Sequence, residues 1–193
     1  TLPPASDTHD LPPLRIKTDN KLENIQTTPQ EVYKLLTKAN PNKASGPDMI
    51  SNRILKEAAT SLAEPLSDLL NKSFNCGKFP SSWKCHNVVP IHKKGDRQNK
   101  SNYRPISLLS NLSKIQERIV HDRLYKHCAL NKLFTSHNSG FKPMDSTTNR
   151  LTHLTDIIYR ELDDKKDLLI TFLDISKAFD RVWHPGLLHK LRE

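Results

Sequence analysis

The feature that most constrains this chain is an apolar run, Leu168 to Leu173, that climbs straight into a carboxylate, Asp174. The run reads as a buried strand. A strand with an acid at its C-terminal end holds an oxygen donor rigidly, which suits a hard cation. The chain then turns into Ser176-Lys177-Ala178-Phe179-Asp180, a short segment with a cation, an aromatic ring and a second carboxylate. Asp174 alone also fits a simpler role, a strand end that caps the next helix.

Around this run the periodicity is mostly helical. Residues 1 to 27 are polar and marked by Pro3-Pro4 and Pro12-Pro13, and read as a linker or tail. Thr28-Pro29-Gln30-Glu31 opens a helix with a capping box and a proline in the first turn. Lys43 to Asp48 is a turn-rich loop, and a short helix is expected from about Asn52 to Ala59. Pro65 is expected to start another helix, with Leu66, Leu69, Leu70 and Phe74 at helical spacing and Gly77 as its stop. Asn87 to Ile91 reads as a strand that Pro90 confines to an edge or a bulge. Lys93 to Arg104 reads as a basic loop. Two longer helices are marked by Leu112, Ile115, Ile119 and Leu124, ending near Asn131, and by Leu151, Leu154, Ile158 and Leu162. Asp163-Asp164 falls in a charged turn that faces solvent, and a last helical piece spans Pro185 to Leu191.

Charge narrows the class of partner. The net charge is +9 in 193 residues, which favours a polyanion, nucleic acid before membrane. No apolar run approaches the roughly 18–20 residues of a spanning helix. The three cysteines, Cys76, Cys85 and Cys128, show no C-x-x-C spacing, and their odd number argues against a disulfide framework. A reducing, intracellular compartment follows, nuclear or cytoplasmic. Cys85-His86 and His127-Cys128 place ligands side by side rather than two to four apart, against zinc. The chain opens at Thr1 without a Met, so it reads as cut from something longer.

Three further stretches carry possible chemistry. Val88-Val89-Pro90-Ile91-His92-Lys93-Lys94-Gly95-Asp96, followed by Asn102-Tyr103-Arg104-Pro105-Ile106-Ser107, is a strand that feeds clustered cations. Lysine brings point charge and arginine a planar fork, a pair suited to phosphates; a solvated basic loop is the alternative. Lys43-Ala44-Ser45-Gly46-Pro47-Asp48 is a plain turn or a contact loop. Ser139-Gly140-Phe141-Lys142 joins a glycine, an aromatic and a cation, a set able to follow a nucleic-acid backbone and stack on it.

Taken together these stretches resemble reverse transcriptases, in particular those of non-LTR (LINE-like) retrotransposons. That family carries F-L-D-x-x-K-A-F-D-x-V-x-H, and this chain has Phe172, Leu173, Asp174, Lys177, Ala178, Phe179, Asp180, Val182 and His184 in register. The lysine-rich stretch and N-Y-R-P-I-S-L-L match its fingers region, with His92 where proline is usual. Lys43 to Asp48 is similar to K-A-P-G-P-D-G, with Met49 where glycine is usual. Residues 139–148 are similar to Q-S-G-F-R-x-G-x-S-T, with Asn138 for Gln and Met144 for a common Gly.

The resemblance implies an α+β fold: helix-rich fingers plus the start of a polymerase right-hand palm. Residues 28–193 would be a partial reverse transcriptase domain, with 28–166 as fingers and adjoining helices and 167–193 as the start of the palm with its motif A. It implies an RNA-directed DNA polymerase working by two-metal nucleotidyl transfer with Mg²⁺. Asp174 would be the catalytic aspartate and a metal ligand, with the Ile175 backbone carbonyl as a further ligand. Lys93 and Arg104 would hold the triphosphate of a dNTP. Phe179 would lie beneath its sugar and favour deoxyribose. Gly140, Phe141 and Lys142 would follow the RNA template opposite a DNA primer. Lys177 and Asp180 match the family string, with a surface ion pair as their plainer role. The chain alone is expected to be inactive, because no second aspartate pair follows Asp174. The competing readings are a non-catalytic nucleic-acid-binding module and a degenerate retroelement remnant.

Overall fold

Thr28 caps the first helix, α1 (Pro29–Lys38), with its hydroxyl accepting from the Glu31 N–H at 3.2 Å. The computed structural model in which this is seen describes residues 18–192. They fall into two compact units, one of Lys21–Asn131 and one that contains the chain from Lys132 onward. Of the expected linker, residues 1–17 lie outside the described residues. From Thr18 the chain runs to Thr28 without helix or strand.

In the first unit, α1 is followed by α2 (Asn52–Glu57), α3 (Ala59–Asn75), the strands β1 (His86–His92) and β2 (Tyr103–Leu109), and α4 (Asn111–Leu130). Val32 and Leu36 from α1, Leu55 from α2, Ala59, Leu66 and Leu70 from α3, Trp83, and Ile115 and Ile119 from α4 form one buried cluster. Ile25 packs against it from the segment before α1. Asn71 of α3 clasps that segment at two points, accepting from the Thr27 N–H at 2.9 Å and donating to the Thr27 carbonyl at 3.0 Å.

Pro65 does not start α3. The helix begins six positions earlier, at Ala59, and runs through the proline. Pro65 leaves the Ser61 carbonyl without its helical donor. Both residues are exposed, so water can take that carbonyl, while Ala59, Ala63, Leu66 and Leu70 keep an unbroken buried stripe. At the other end Gly77 is the expected stop. With φ at +60° it lets its own N–H bond the Phe74 carbonyl and the Lys78 N–H bond the Ser73 carbonyl, a Schellman closure.

The basic stretch between Lys93 and Arg104 is a loop only in part, because it returns as β2. The two strands pair antiparallel in unbroken one-to-one register, His86 opposite Leu109 through His92 opposite Tyr103, so Pro90 causes no bulge. The reason lies in the ladder. The Lys93 N–H donates to the Asn102 carbonyl at 2.8 Å, which makes 93–102 a hydrogen-bonded pair. Alternation then makes Pro90–Pro105 a non-hydrogen-bonded pair, where the missing N–H groups would have pointed away from the ladder. The same two prolines blunt both outer edges of the hairpin.

In the second unit, α5 (Thr147–Asp163) starts at Ser146, whose hydroxyl accepts from the Asn149 N–H at 3.1 Å. It ends in the charged turn expected at Asp163-Asp164. There Lys165 takes φ +57° and Lys166 pairs with Asp164 and Glu161 at 2.9 and 3.2 Å. The last helix is α6 (His184–Arg192). Between them the apolar run is not the buried strand that its composition implies. Residues 168–173 carry no strand pairing, and Leu169 and Leu173 are each 91% exposed. A strand takes its hydrogen bonds from another segment, and among the described residues none lies alongside.

Candidate active site

The hairpin positions the first pair of candidate residues. Side chains alternate faces along a strand, and Arg104 stands opposite Ile91. Lys93, two residues beyond Ile91, therefore lies on the Arg104 face and diagonal to it, with a typical separation of about 7–8 Å. Both side chains are exposed, and neither joins a salt bridge among the described residues. Two uncompensated cations on one face at that spacing can bracket a phosphate group.

The loop between the strands is built to hold them. Gly95 has φ +84°, and a Cβ on it would stand 2.8 Å from the Asn102 side-chain nitrogen. That nitrogen donates to the Asp96 carbonyl at 2.8 Å. On the opposite face His92 meets the Tyr103 ring edge-on at 5.3 Å, and its Nε2 lies 3.0 Å from the Gly95 carbonyl. The Tyr103 hydroxyl donates to the Arg97 carbonyl at 2.8 Å. The histidine that replaces the usual proline thus braces the loop through contacts.

Gly46 and Asp48 act as a clasp. A Cβ on Gly46 would come within 2.5 Å of the Ser110 nitrogen, so only glycine allows this approach. Asp48 accepts from the Ser110 hydroxyl at 2.6 Å and from the Ile50 N–H at 3.2 Å, and Asn111 donates to the Ile50 carbonyl at 2.8 Å. The turn therefore fixes the β2–α4 junction. Met49, beside it, has φ +56°, the left-handed conformation that glycine adopts freely.

In the second unit Arg150 of α5 organises the loop that carries Gly140, Phe141 and Lys142. It donates to the His137 carbonyl at 3.0 Å and to the Ser139 hydroxyl. A hydrogen bond from Ser139 is the main reason the Asp145 carboxyl sits below its ordinary range; the Ser146 N–H adds to it, and burial opposes weakly. Gly140 keeps a negative φ; the left-handed residues are Phe141 at +61° and Met144 at +65°. The Phe141 ring meets the Phe179 ring edge to face, with centroids 6.3 Å apart. Phe179 opens a short 3₁₀ turn, Phe179–Arg181, just after Lys177 at φ +53°. Lys177 and Asp180 form no ion pair among the described residues.

Asp174 is exposed, and Ile175 beside it is exposed as well. An open carboxylate fits part of an Mg²⁺ site, since that ion takes one or two carboxylates along with substrate phosphates. Among the described residues no three His, Cys, Asp or Glu side chains gather to hold a metal. No helix among them is long and apolar enough to cross a membrane.

Sequence reasoning missed β2, the Asp48–Ser110 clasp and the anchoring role of Arg150. The alternation that would mark β2 is broken by Pro105, and the other two depend on partners 62 and 11 residues away.

Comparison with known proteins places these features. Residues 91–193 match the family model described as reverse transcriptase (RNA-dependent DNA polymerase). The chain is 34% identical over 166 residues to the "RNA-directed DNA polymerase from mobile element jockey" of Drosophila melanogaster, a match that covers 86% of this chain and 18% of that protein. It is 33% identical over 165 residues to the "Probable RNA-directed DNA polymerase from transposon BS" of the same fly, covering 85% and 18%. A third relative, the "Probable RNA-directed DNA polymerase from transposon X-element", is 33% identical over 166 residues, covering 86% and 18%. The chain thus spans less than a fifth of the length of these curated relatives. With a family match over more than half its residues and relatives of this kind, the chain belongs to the reverse transcriptases, among those of non-LTR retrotransposons.

Proposed function

We propose that these residues serve RNA-templated DNA synthesis, as the fingers and the start of the palm of an RNA-directed DNA polymerase. The observation that carries this reading is the run of family residues from Phe172 to Asp180 inside the matched span 91–193. In this reading Lys93 and Arg104 hold the triphosphate of the incoming nucleotide, drawn by charge and positioned by the hairpin. Asp174 and the Ile175 carbonyl offer oxygen ligands to Mg²⁺. The bound ions would lower the pKa of the primer 3′-hydroxyl and neutralise charge on the transferring phosphate. Phe179 lies beneath the sugar and leaves no room for a 2′-hydroxyl. Gly140, Phe141 and Lys142 follow the template strand.

In this reading the segment supplies part of the catalytic centre: two-metal transfer requires several carboxylates gathered around the ions, and Asp174 is one of them.

The test is Asp174→Ala in the polymerase polypeptide that carries this segment. RNA-templated primer extension should fall by at least about a hundredfold, with RNA affinity nearly unchanged. Lys93→Ala and Arg104→Ala should raise the KM for dNTP. If Asp174→Ala were silent while the two cation substitutions weakened RNA binding and flattened its salt dependence, a binding module without catalysis would replace this reading.

A further inference from the structure

We propose that Phe141 is a positioning residue for the Phe179 ring, and through it for the choice between deoxyribose and ribose. The proposal rests on the sugar-facing role given to Phe179 above, and it gives Phe141 a second task besides its place along the template. Three observations support it.

First, the two rings meet edge to face, with centroids 6.3 Å apart and planes at 86°, the arrangement favoured by the aromatic quadrupole. Second, both rings stand clear of any core, Phe141 at 94% exposed and Phe179 at 79%. A phenyl ring that open has little packing to select its rotamer, so the neighbouring ring carries weight that a core would otherwise supply. Third, both backbones are held. The Phe179 turn is closed by the Arg181 N–H on the Ala178 carbonyl and the Val182 N–H on the Phe179 carbonyl, at 3.2 and 3.4 Å. The Phe141 loop is tied to α5 by Arg150, and the Asn138 side chain donates to the Gly140 carbonyl at 3.3 Å.

Phe141 also takes φ +61°, a conformation disfavoured for a residue with a Cβ and retained only where the surroundings impose it. Its neighbour Gly140 could have absorbed that conformation at no steric cost and does not. Two backbone segments are thus fixed, and one ring contact spans them. A ribonucleotide differs from a deoxyribonucleotide by one oxygen atom, so a small swing of the Phe179 ring is enough to alter discrimination.

Two measurements test the proposal. In the 193-residue chain, 4-fluorophenylalanine at position 179 alone should show a ¹⁹F resonance that moves on Phe141→Ala and largely returns with Phe141→Tyr, which keeps the ring. An unmoved resonance overturns the proposal. In the polymerase polypeptide that carries this segment, Phe141→Ala should lower the dNTP-over-rNTP ratio of kcat/KM about two- to tenfold, and Phe141→Tyr should restore it. Phe179→Ala is the control for the underlying reading. If it leaves the ratio unchanged, the sugar-facing role of Phe179 fails. If it collapses the ratio while Phe141→Ala does not, the positioning role alone fails. An equal loss of rate with both sugars on Phe141→Ala also overturns it, since a template or purely structural role acts on both alike.

Discussion

Between Lys21 and Asn131 the chain buries a cluster drawn from four helices and Trp83, whereas between Lys132 and Arg192 not one described residue is buried. The two stretches show which kinds of structure a sequence can support locally. α5 and α6 close their own backbone hydrogen bonds, and α5 has a serine cap and a charged terminal turn, so both form without burying a residue. The run from Leu168 to Leu173 has the composition of a strand but cannot close its own hydrogen bonds, and it stays unpaired. β1 differs from it by having β2 a short loop away. The residues assigned to chemistry divide along the same line: Lys93 and Arg104 stand on a braced, paired hairpin, and Asp174 and Phe179 stand on chain without strand pairing.

The largest effect that would break this contrast is a truncation in each region. Leu70→Ala, at a fully buried position, should cost about 2–5 kcal/mol in urea unfolding. Leu169→Ala, at an exposed one, should stay within about 0.5 kcal/mol. A comparable cost at both positions would mean that residues 168–173 are packed in solution, and the contrast would fall.

Much of the first region was legible because its signals are short-range. The Thr28 cap, the Gly77 stop and the helical spacing of Ile115 and Ile119 all act within a few residues, and each stands where the sequence places it. Pro65 misled because burial of a stripe spanning Ala59 to Leu70 outweighs the loss of one exposed backbone hydrogen bond. The strand at 168–173 misled for the opposite reason: its partners are not local, and no pattern within the run reports whether they are present. The capping box shows the same limit. Thr28 bonds the Glu31 N–H as expected, but the Glu31 carboxylate does not reach back to Thr28. It accepts instead from the Thr27 hydroxyl at 2.7 Å and from Arg123 of α4 at 2.6 Å, a partner 92 residues away.

That ion pair supplies an intermediate effect. Arg123 donates both to Glu31 and to the Gln26 carbonyl, at 2.6 and 3.1 Å, and so ties α4 to the segment before α1. Burial pushes the Glu31 carboxyl up, but hydrogen bonds from Arg123 and Thr27, with the Arg123 charge, outweigh it and leave it below its usual value of 4.5. A depressed carboxyl stabilises the fold fully above its unfolded pKa, and that contribution is lost as pH falls through the folded value. Arg123→Ala should therefore cost about 1–2 kcal/mol at neutral pH, a charged hydrogen bond discounted for partial exposure. The cost should shrink in acid, below about pH 4. Chemical denaturation at pH 7 and at acid pH reads both; a cost that stayed constant with pH would exclude Glu31 as the partner that matters.

The smallest effect sharpens the contrast most, because the same substitution can be made on both sides of it. Met49 and Met144 stand where the family usually has glycine, and both keep the glycine-like conformation, at φ +56° and +65°. A left-handed residue with a Cβ costs roughly 1–2 kcal/mol, and glycine returns part of that through its greater freedom when unfolded. Met49→Gly, in the turn that clasps Ser110, should therefore raise the stability of the cored region by about 0.5–1 kcal/mol, seen as a higher midpoint in thermal or urea unfolding. Met144→Gly relieves the same strain in a stretch with no buried residue. With Trp183→Phe as the common background, its gain should not appear in the cooperative transition followed by Trp83 fluorescence, because that transition reports the core around α1, α3 and α4. Equal gains from the two substitutions would show that both regions unfold as one unit.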